Sequence, residues 1–357
     1  QSERKLLHGM NLVLKPVKKW FVYLVQHTHT DIGYTRPQST ILPEHLRFID
    51  YALDFCDQTD DYPDDAKFRW TCETSWAVSE YVGVRPSSQI ERLKKRIEQG
   101  RIEVAGLFLN MSEAMDEATC VASMAPLARF RDVGIKVKAA MQNDINGIAW
   151  CMADYLSDAG IQYLIMGEHG HRALIPFDIP TAFWWESPAG KRLLAWRPDH
   201  YHTGNSWQIE KGDINKFGRG LFGYLSDLEG KQYPHDRISV QYGGYITDNA
   251  PPSTVASDMI REWNEKYEWP RLLISGVSEA FRALENRYGE ELPSVKGDWT
   301  PYWEDGAGSS ARETAMNRAS SDRLVQAEAL WAMQSPGTYP ASNFRDAWRN
   351  VLLYSEH

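Results

Sequence analysis

Cysteine is scarce in this chain, and none of it is paired by spacing: Cys56, Cys72, Cys120 and Cys151 are the only four in 357 residues, with no CxxC among them. That argues against a zinc–thiolate module or a disulfide framework and reads the four as buried thiols. A basic excess is missing as well. The formal net charge is −9 and the sequence pI about 5.6, with both signs interspersed, so no basic stripe is offered to a nucleic acid. No apolar run approaches the roughly 20 residues that span a bilayer, and Gln1 opens a charged segment rather than a signal peptide. The expectation is a soluble chain with no membrane and no nucleic-acid partner, whose compartment and oligomeric state stay open. There is no initiator Met, so neither end is taken as native. Internal repeats and low-complexity tracts are also lacking.

What is present is an apolar fraction of 43%, enough for a sizeable core, together with 14 Trp and 17 Tyr. Flat amphipathic rings suit the apolar faces of sugars and also fill cores. From residue 20 to about 285, short β-rich runs alternate with amphipathic stretches, the pattern of a parallel sheet or barrel. Seven strands are expected, at Trp20–Gln26, Lys67–Thr71, Ile102–Phe108, Val137–Gln142, Tyr163–Met166, Ile238–Tyr242 and Leu272–Ser275. Helical spacing is clearest at Ser87–Glu98, Ile148–Ala159 and Thr254–Tyr267, and Gly100 and Gly160 follow the first two as C-terminal stops. Phe183–Glu186 and Arg192–Trp196 around Ser187-Pro188-Ala189-Gly190 read as an inserted hairpin. After a Gly- and Ser-containing stretch from Gly297 to Ser310, Arg312–Met333 and Phe344–Tyr354 carry helical patterns.

Three strand exits carry candidate chemistry. The first strand runs into His27-Thr28-His29-Thr30-Asp31-Ile32-Gly33-Tyr34, where His29 and Asp31, two apart, project to one side of an extended segment and can grip one cation. The plainer alternative is a solvated His-rich loop. The fourth strand ends in Asn143-Asp144-Ile145-Asn146-Gly147. Acids at the C-terminal ends of barrel strands converge on one mouth, although Asp144 also suits a cap for the helix near Ile148. The sixth ends in Tyr242-Gly243-Gly244-Tyr245-Ile246-Thr247-Asp248-Asn249-Ala250-Pro251-Pro252, where Asp248 is either a second catalytic carboxylate or an Asx turn. His27 faces the same side as His29 and reads as supporting the site or touching substrate. His169, His171, His200 and His202 fall in irregular loops, as a pocket rim or a solvated segment.

In this order the three exits resemble the family 38 glycoside hydrolases, the retaining α-mannosidases. The family's HxDxGW segment corresponds to His29-Thr30-Asp31-Ile32-Gly33-Tyr34, with Tyr34 in place of Trp. Arg69-Trp70-Thr71-Cys72-Glu73 and Arg96–Gly106 resemble the segments that follow. The resemblance implies zinc bound by His29, Asp31, Asp144 and His357, the last at the end of Trp348-Arg349-Asn350-Val351-Leu352-Leu353-Tyr354-Ser355-Glu356-His357. It makes Asp144 the nucleophile and Asp248 the acid/base. Ile145-Asn146-Gly147 stands where Pro-Phe-Gly often does, and the loop around Asp248 has lost most of the family's glycines.

The fold class it implies is α/β, an irregular seven-stranded (β/α) barrel over residues 1–296, then the start of an α-helical bundle domain over 297–357, truncated at its C-terminus. Substrate contacts are expected from Tyr34, His27, Trp303 and Asp305, with stacking surfaces among Trp70, Trp76, Trp185 and Trp303, and Glu304 beside Asp305 as a loop acid. The ion is expected to be zinc, one per chain, with cobalt or another divalent cation acceptable to the same donors. The expected reaction is retaining cleavage of terminal α-mannosides or related α-glycosides. The alternatives are a metal-dependent carbohydrate deacetylase or amidase on a related barrel, and a sugar-binding barrel without catalysis.

Overall fold

The structure is a computed structural model that describes residues 18–112, 114–145, 147–167, 177–299 and 305–357. Among these, the strands are β1 (Phe21–His27), β2 (Trp70–Cys72), β3 (Ile102–Gly106), β4 (Ala139–Asn143), β5 (Tyr163–Gly167), β6 (Thr181–Glu186), β7 (Arg192–Arg197), β8 (Arg237–Gly243), β9 (Arg271–Ser275) and β10 (Ser294–Val295). Every expected strand is found within a few residues of its expected place, and β6 and β7 form the inserted antiparallel hairpin. All other strand pairs are parallel.

Closure differs from the expectation. The ladders make two sheets, one of three strands in the order β8-β1-β9 and one of seven in the order β10-β6-β7-β5-β4-β3-β2. β1 lies between β8 and β9 rather than in a ladder with β2, so among the described residues no continuous hydrogen-bonded barrel forms. The hairpin is one physical reason: β7 runs parallel beside β5, but its other edge is taken by the antiparallel β6, so β8 does not continue the sheet there. Side chains bridge the two sheets instead, as where the Arg69 guanidinium donates to the Ile274 carbonyl at 2.8 Å.

Period-2 alternation explains the packing. Val22 and Leu24 of β1, Ile238 and Val240 of β8, and Leu272 and Ile274 of β9 meet Ala139 and Met141 of β4 and Tyr163 and Ile165 of β5 in one core. The intervening residues, Ala140, Leu164 and Met166, face the other way into a second core with Ile49, Leu53, Leu93, Phe130 and Leu156 from the helices. Strands covered on both faces need apolar residues at every position, which is why these runs read as continuous rather than alternating. Truncating Met141 to Ala would cost about 2–5 kcal/mol.

Helix Ser87–Glu98 ends as expected before Gly100, whose φ of +68° and N–H bond to the Ile97 carbonyl close the turn. Helices Ala311–Gln334 and Ala341–Tyr354 pack against each other and against the loop after β3, where Ser321 donates to Asp116 at 3.0 Å and Arg318 to the Ala114 carbonyl at 2.6 Å. The chain then pairs Glu356 with Met111 in an antiparallel bridge, and the His357 N–H donates to the Asn110 carbonyl at 2.9 Å. No described helix is long and apolar enough to cross a membrane. Of the cysteines, Cys56, Cys72 and Cys120 are buried, but Cys151 is exposed, because it lies just before helix Met152–Asp158 rather than on its inner face.

Candidate metal centre and active site

Gln26 to Asp31 form a polar run that is buried throughout. Buried polar groups must find partners, and here they find them across the strand exits. His29 directs Nδ1 to Glu73 Oε1 at 3.0 Å, which leaves Nε2 to face the opposite direction. There Nε2 meets Asp31 Oδ1 at 3.3 Å, His357 Nε2 at 3.3 Å and Asp144 Oδ2 at 3.8 Å. His357 repeats the arrangement, with Nδ1 2.7 Å from Glu356 Oε1 and Nε2 3.6 Å from Asp31 Oδ1. Donor atoms of His29, Asp31 and His357 all lie within 4.8 Å of one another. Three of the four expected ligands thus converge, and Asp144 stands beside them.

The electrostatics call for positive charge at this point. Burial by itself would lower the pKa of His29, but the Glu73 charge and the bonds to Asp31 and Glu73 outweigh it and hold the imidazole well above its ordinary value. His357 is likewise raised, against burial, by Glu356. The same carboxylate charge that favours protonated rings favours a cation here. Asp144 adds a buried carboxylate oxygen, Oδ1, without a hydrogen-bond partner. Two imidazole nitrogens with carboxylates is a borderline donor set of the kind that divalent zinc and cobalt accept, so the residues fit such an ion.

Asp144 follows β4 with φ at +51°, a left-handed conformation that Asp tolerates better than most side chains. Its backbone N–H donates to the Gly167 carbonyl at 2.9 Å, which turns the side chain out of the sheet. The Tyr201 hydroxyl donates to its Oδ2 at 3.2 Å. Asp248 stands 3.7 Å from His202 Nε2, and its carboxyl is held above the ordinary range, chiefly by burial and further by the charges of Asp31 and Asp144, with His29 opposing. Burial also pushes His202 down to about 3, so this imidazole is neutral.

The next residue, Asn249, staples the Asp248 loop to the His29 loop. Its Oδ1 accepts from the Asp31 N–H at 3.3 Å, its Nδ2 donates to the Asp31 carbonyl at 2.9 Å, and its own N–H donates to the His29 carbonyl at 2.8 Å.

A sequence model described as the glycosyl hydrolases family 38 N-terminal domain matches residues 19–305. The chain belongs to this family. No curated protein sequence matches it. Its fold resembles an α-mannosidase from Enterococcus faecalis, with a TM-score of 0.77 at 19% identity over 95% of this chain and 38% of that one. A second family 38 protein from Enterococcus faecalis gives 0.65 at 19% identity, over 96% and 36%. A family 57 branching enzyme from Thermococcus kodakaraensis gives 0.57 at 10%, over 95% and 86%. The chain therefore spans little more than a third of the length of the two Enterococcus proteins.

Within this family 38 chain the remaining sequence expectations divide. Tyr34 is 66% exposed, and its hydroxyl donates to the His357 carbonyl at 2.5 Å with the two rings 5.5 Å apart, so it flanks the His29–Asp31–His357 cluster. Of the two roles expected for His27, supporting the site or touching substrate, its surroundings match the first. His27 is fully buried, with Nδ1 2.6 Å from Glu73 and Nε2 3.1 Å from the Tyr201 carbonyl, so both ring nitrogens are engaged beneath the site and none is left for a sugar. Trp70, Trp76 and Trp185 are corrected, from stacking surfaces to buried core. His169, His171, Trp303 and Glu304 lie outside the described residues, and Asp305 opens the helix Asp305–Ser309. Glu73 was missed as a site residue, and His202 was read only as a pocket rim or a solvated loop. Glu73 gives no signal of its own beyond being the acid just after a strand, and His202 lay in a loop whose approach to Asp248 only the fold creates.

Proposed function

We propose that this chain is the catalytic part of a metal-dependent retaining glycoside hydrolase acting on terminal α-mannosides or related α-glycosides. Family membership supports a glycoside hydrolase, and one Enterococcus faecalis relative by fold is described as an α-mannosidase. The observation that carries the metal-dependent reading is the convergence of His29, Asp31 and His357, with Asp144 Oδ2 3.8 Å from His29 Nε2. His29, Asp31, Asp144 and His357 would hold the ion, zinc in the first instance. When bound, it supplies charge that fixes sugar hydroxyls and offsets the repulsion between Asp31 and Asp144.

The chain's own groups then divide the work. Tyr201 holds the Asp144 carboxylate through Oδ2, and this carboxylate attacks the anomeric carbon as the glycosidic C–O bond breaks. Asp248, whose raised pKa favours the protonated carboxyl, gives its proton to the departing oxygen. In the second half Asp248, now ionised, takes a proton from water, whose oxygen displaces Asp144 and restores the α-configuration. Tyr34 flanks the sugar from the solvent side, and Trp303 and Asp305 remain the proposed contacts from the 297–310 stretch. We keep 1–296 as the unit that carries Asp144 and Asp248, and 297–357 as a helical unit that supplies His357.

The test is cleavage of an aryl α-mannoside by the zinc-supplemented protein, followed by proton NMR from the first turnovers. Release of α-mannose before mutarotation supports the reading. Release of β-mannose contradicts retention, and release of acetate from an N-acetylated sugar with no glycosidic cleavage points to the deacetylase alternative.

A further inference from the structure

We infer that Glu73 is the positioning residue on which the metal centre and the nucleophile are jointly built, an inference that rests on the metal-site reading above. Glu73 follows β2 and its side chain is wholly buried. Oε1 receives the His29 ring at 3.0 Å, the Thr30 N–H at 3.2 Å and the Asn110 amide at 2.6 Å. Oε2 receives the His27 ring at 2.6 Å and the Asn143 amide at 2.8 Å. A carboxylate offers about four lone-pair directions, and these five donors, three of them sharing Oε1, leave none open.

The donors come from the segments that carry the expected ligands. His27, His29 and Thr30 belong to the exit of β1, which bears Asp31. Asn110 belongs to the loop after β3; its carbonyl takes the His357 N–H at 2.9 Å and its Oδ1 takes the Asn143 N–H at 3.0 Å. Asn143 closes β4 and is bonded in sequence to Asp144. One carboxylate thus reaches each ligand-bearing segment directly or through one residue.

Two consequences follow from the chemistry of the acceptor. An ionised carboxylate only accepts, so His29 must carry its hydrogen on Nδ1 and present a bare Nε2 to the cation. The charge behind the ring also makes that nitrogen a stronger donor to a metal, the effect of carboxylates that back metal-bound histidines. Glutamine in this place keeps the shape but accepts at one oxygen only. Its NH2 would meet either the Asn143 amide or the Thr30 and Asn110 donors, and one ligand-bearing segment would lose its anchor.

The experiment compares zinc affinity, by competition with a chelator, in the wild-type chain, Glu73→Gln and Thr59→Ala. Thr59 is the control for lost buried bonding: its hydroxyl takes the Phe68 N–H at 3.1 Å and the Arg101 guanidinium at 2.8 Å and touches none of the site. Glu73→Gln is expected to bind zinc about 10–100-fold more weakly, and Thr59→Ala within about twofold of wild type, whatever stability each loses. Nitrogen-15 NMR of the zinc-loaded wild type is expected to find the His29 hydrogen on Nδ1. The inference is overturned if folded Glu73→Gln keeps wild-type affinity, if Thr59→Ala loses as much, or if His29 in the wild type holds zinc through Nδ1. The last readout needs no variant to fold. Failure of the wild type to bind zinc at all would instead remove the metal-site reading beneath it.

Discussion

The Nε2 atoms of His29 and His357 face each other across 3.3 Å, although 328 residues separate them in the chain. Each ring is backed at Nδ1 by a glutamate, Glu73 for the first and Glu356 for the second. Two bare nitrogens cannot approach so closely without a proton or a cation between them, and Asp31 completes the grip from the side.

Replacing Asp144 by Asn should lower kcat on an aryl α-mannoside on the order of 10⁴-fold or more, as expected when a group that acts as nucleophile is removed. A stopped-flow burst of aryl alcohol in the wild type and none in the variant would check it. A variant that retains a tenth of the rate would remove Asp144 from the nucleophile's role.

Asp248→Asn should cost about 10²–10⁴-fold on mannosides with a poor leaving group, and far less on a dinitrophenyl mannoside, whose leaving group needs no proton. The wild-type rate should fall as pH rises through the raised pKa of Asp248, because the acid must be protonated to act. That alkaline limb should move or vanish in the variant, which a pH–rate profile on the poor substrate would register.

The same raised pKa makes Asp248 a liability to stability. At about pH 4 and below, near the unfolded pKa, both states hold the proton and nothing is lost. As pH climbs through the folded pKa, the native state must bury a charge that the unfolded state solvates. Asp248→Asn should therefore raise the Tm of the metal-free protein at pH 7–8 and leave it unchanged at the acid end, measured by calorimetry across pH.

Asn249 sits at φ +50° and spends its amide on Asp31 and on His45, whose Nε2 donates to it at 2.8 Å. Asn249→Gly keeps the left-handed backbone at ease but strands those groups, at about 1–3 kcal/mol for each buried partner left unsatisfied. Urea unfolding should show the loss, and zinc affinity should fall with it, since the Asp31 loop is no longer tied to the Asp248 loop.

Much of this was legible in the residues. The strand exits announced themselves because a β-rich run ending in His29-Thr30-Asp31 or Asn143-Asp144 breaks the apolar pattern abruptly, and glycines 100 and 160 marked their helix ends. Strand order was not legible, since Val22 and Leu24 would be equally apolar beside β2 or, as found, between β8 and β9. Helix Gln38–Gln58 escaped notice with Pro43 inside it. Glu73 carries no local pattern. Its role comes from donors 37 to 70 residues away for Asn110 and Asn143, contacts that only the fold assembles.

The most direct test of the metal centre is the zinc content of the purified, zinc-supplemented chain beside a His29→Ala Asp31→Ala double variant, with both shown to be folded. One zinc per wild-type chain, lost in the variant together with mannoside cleavage, is the expected result. A folded wild type without zinc, or a variant that binds it as tightly, would contradict the site.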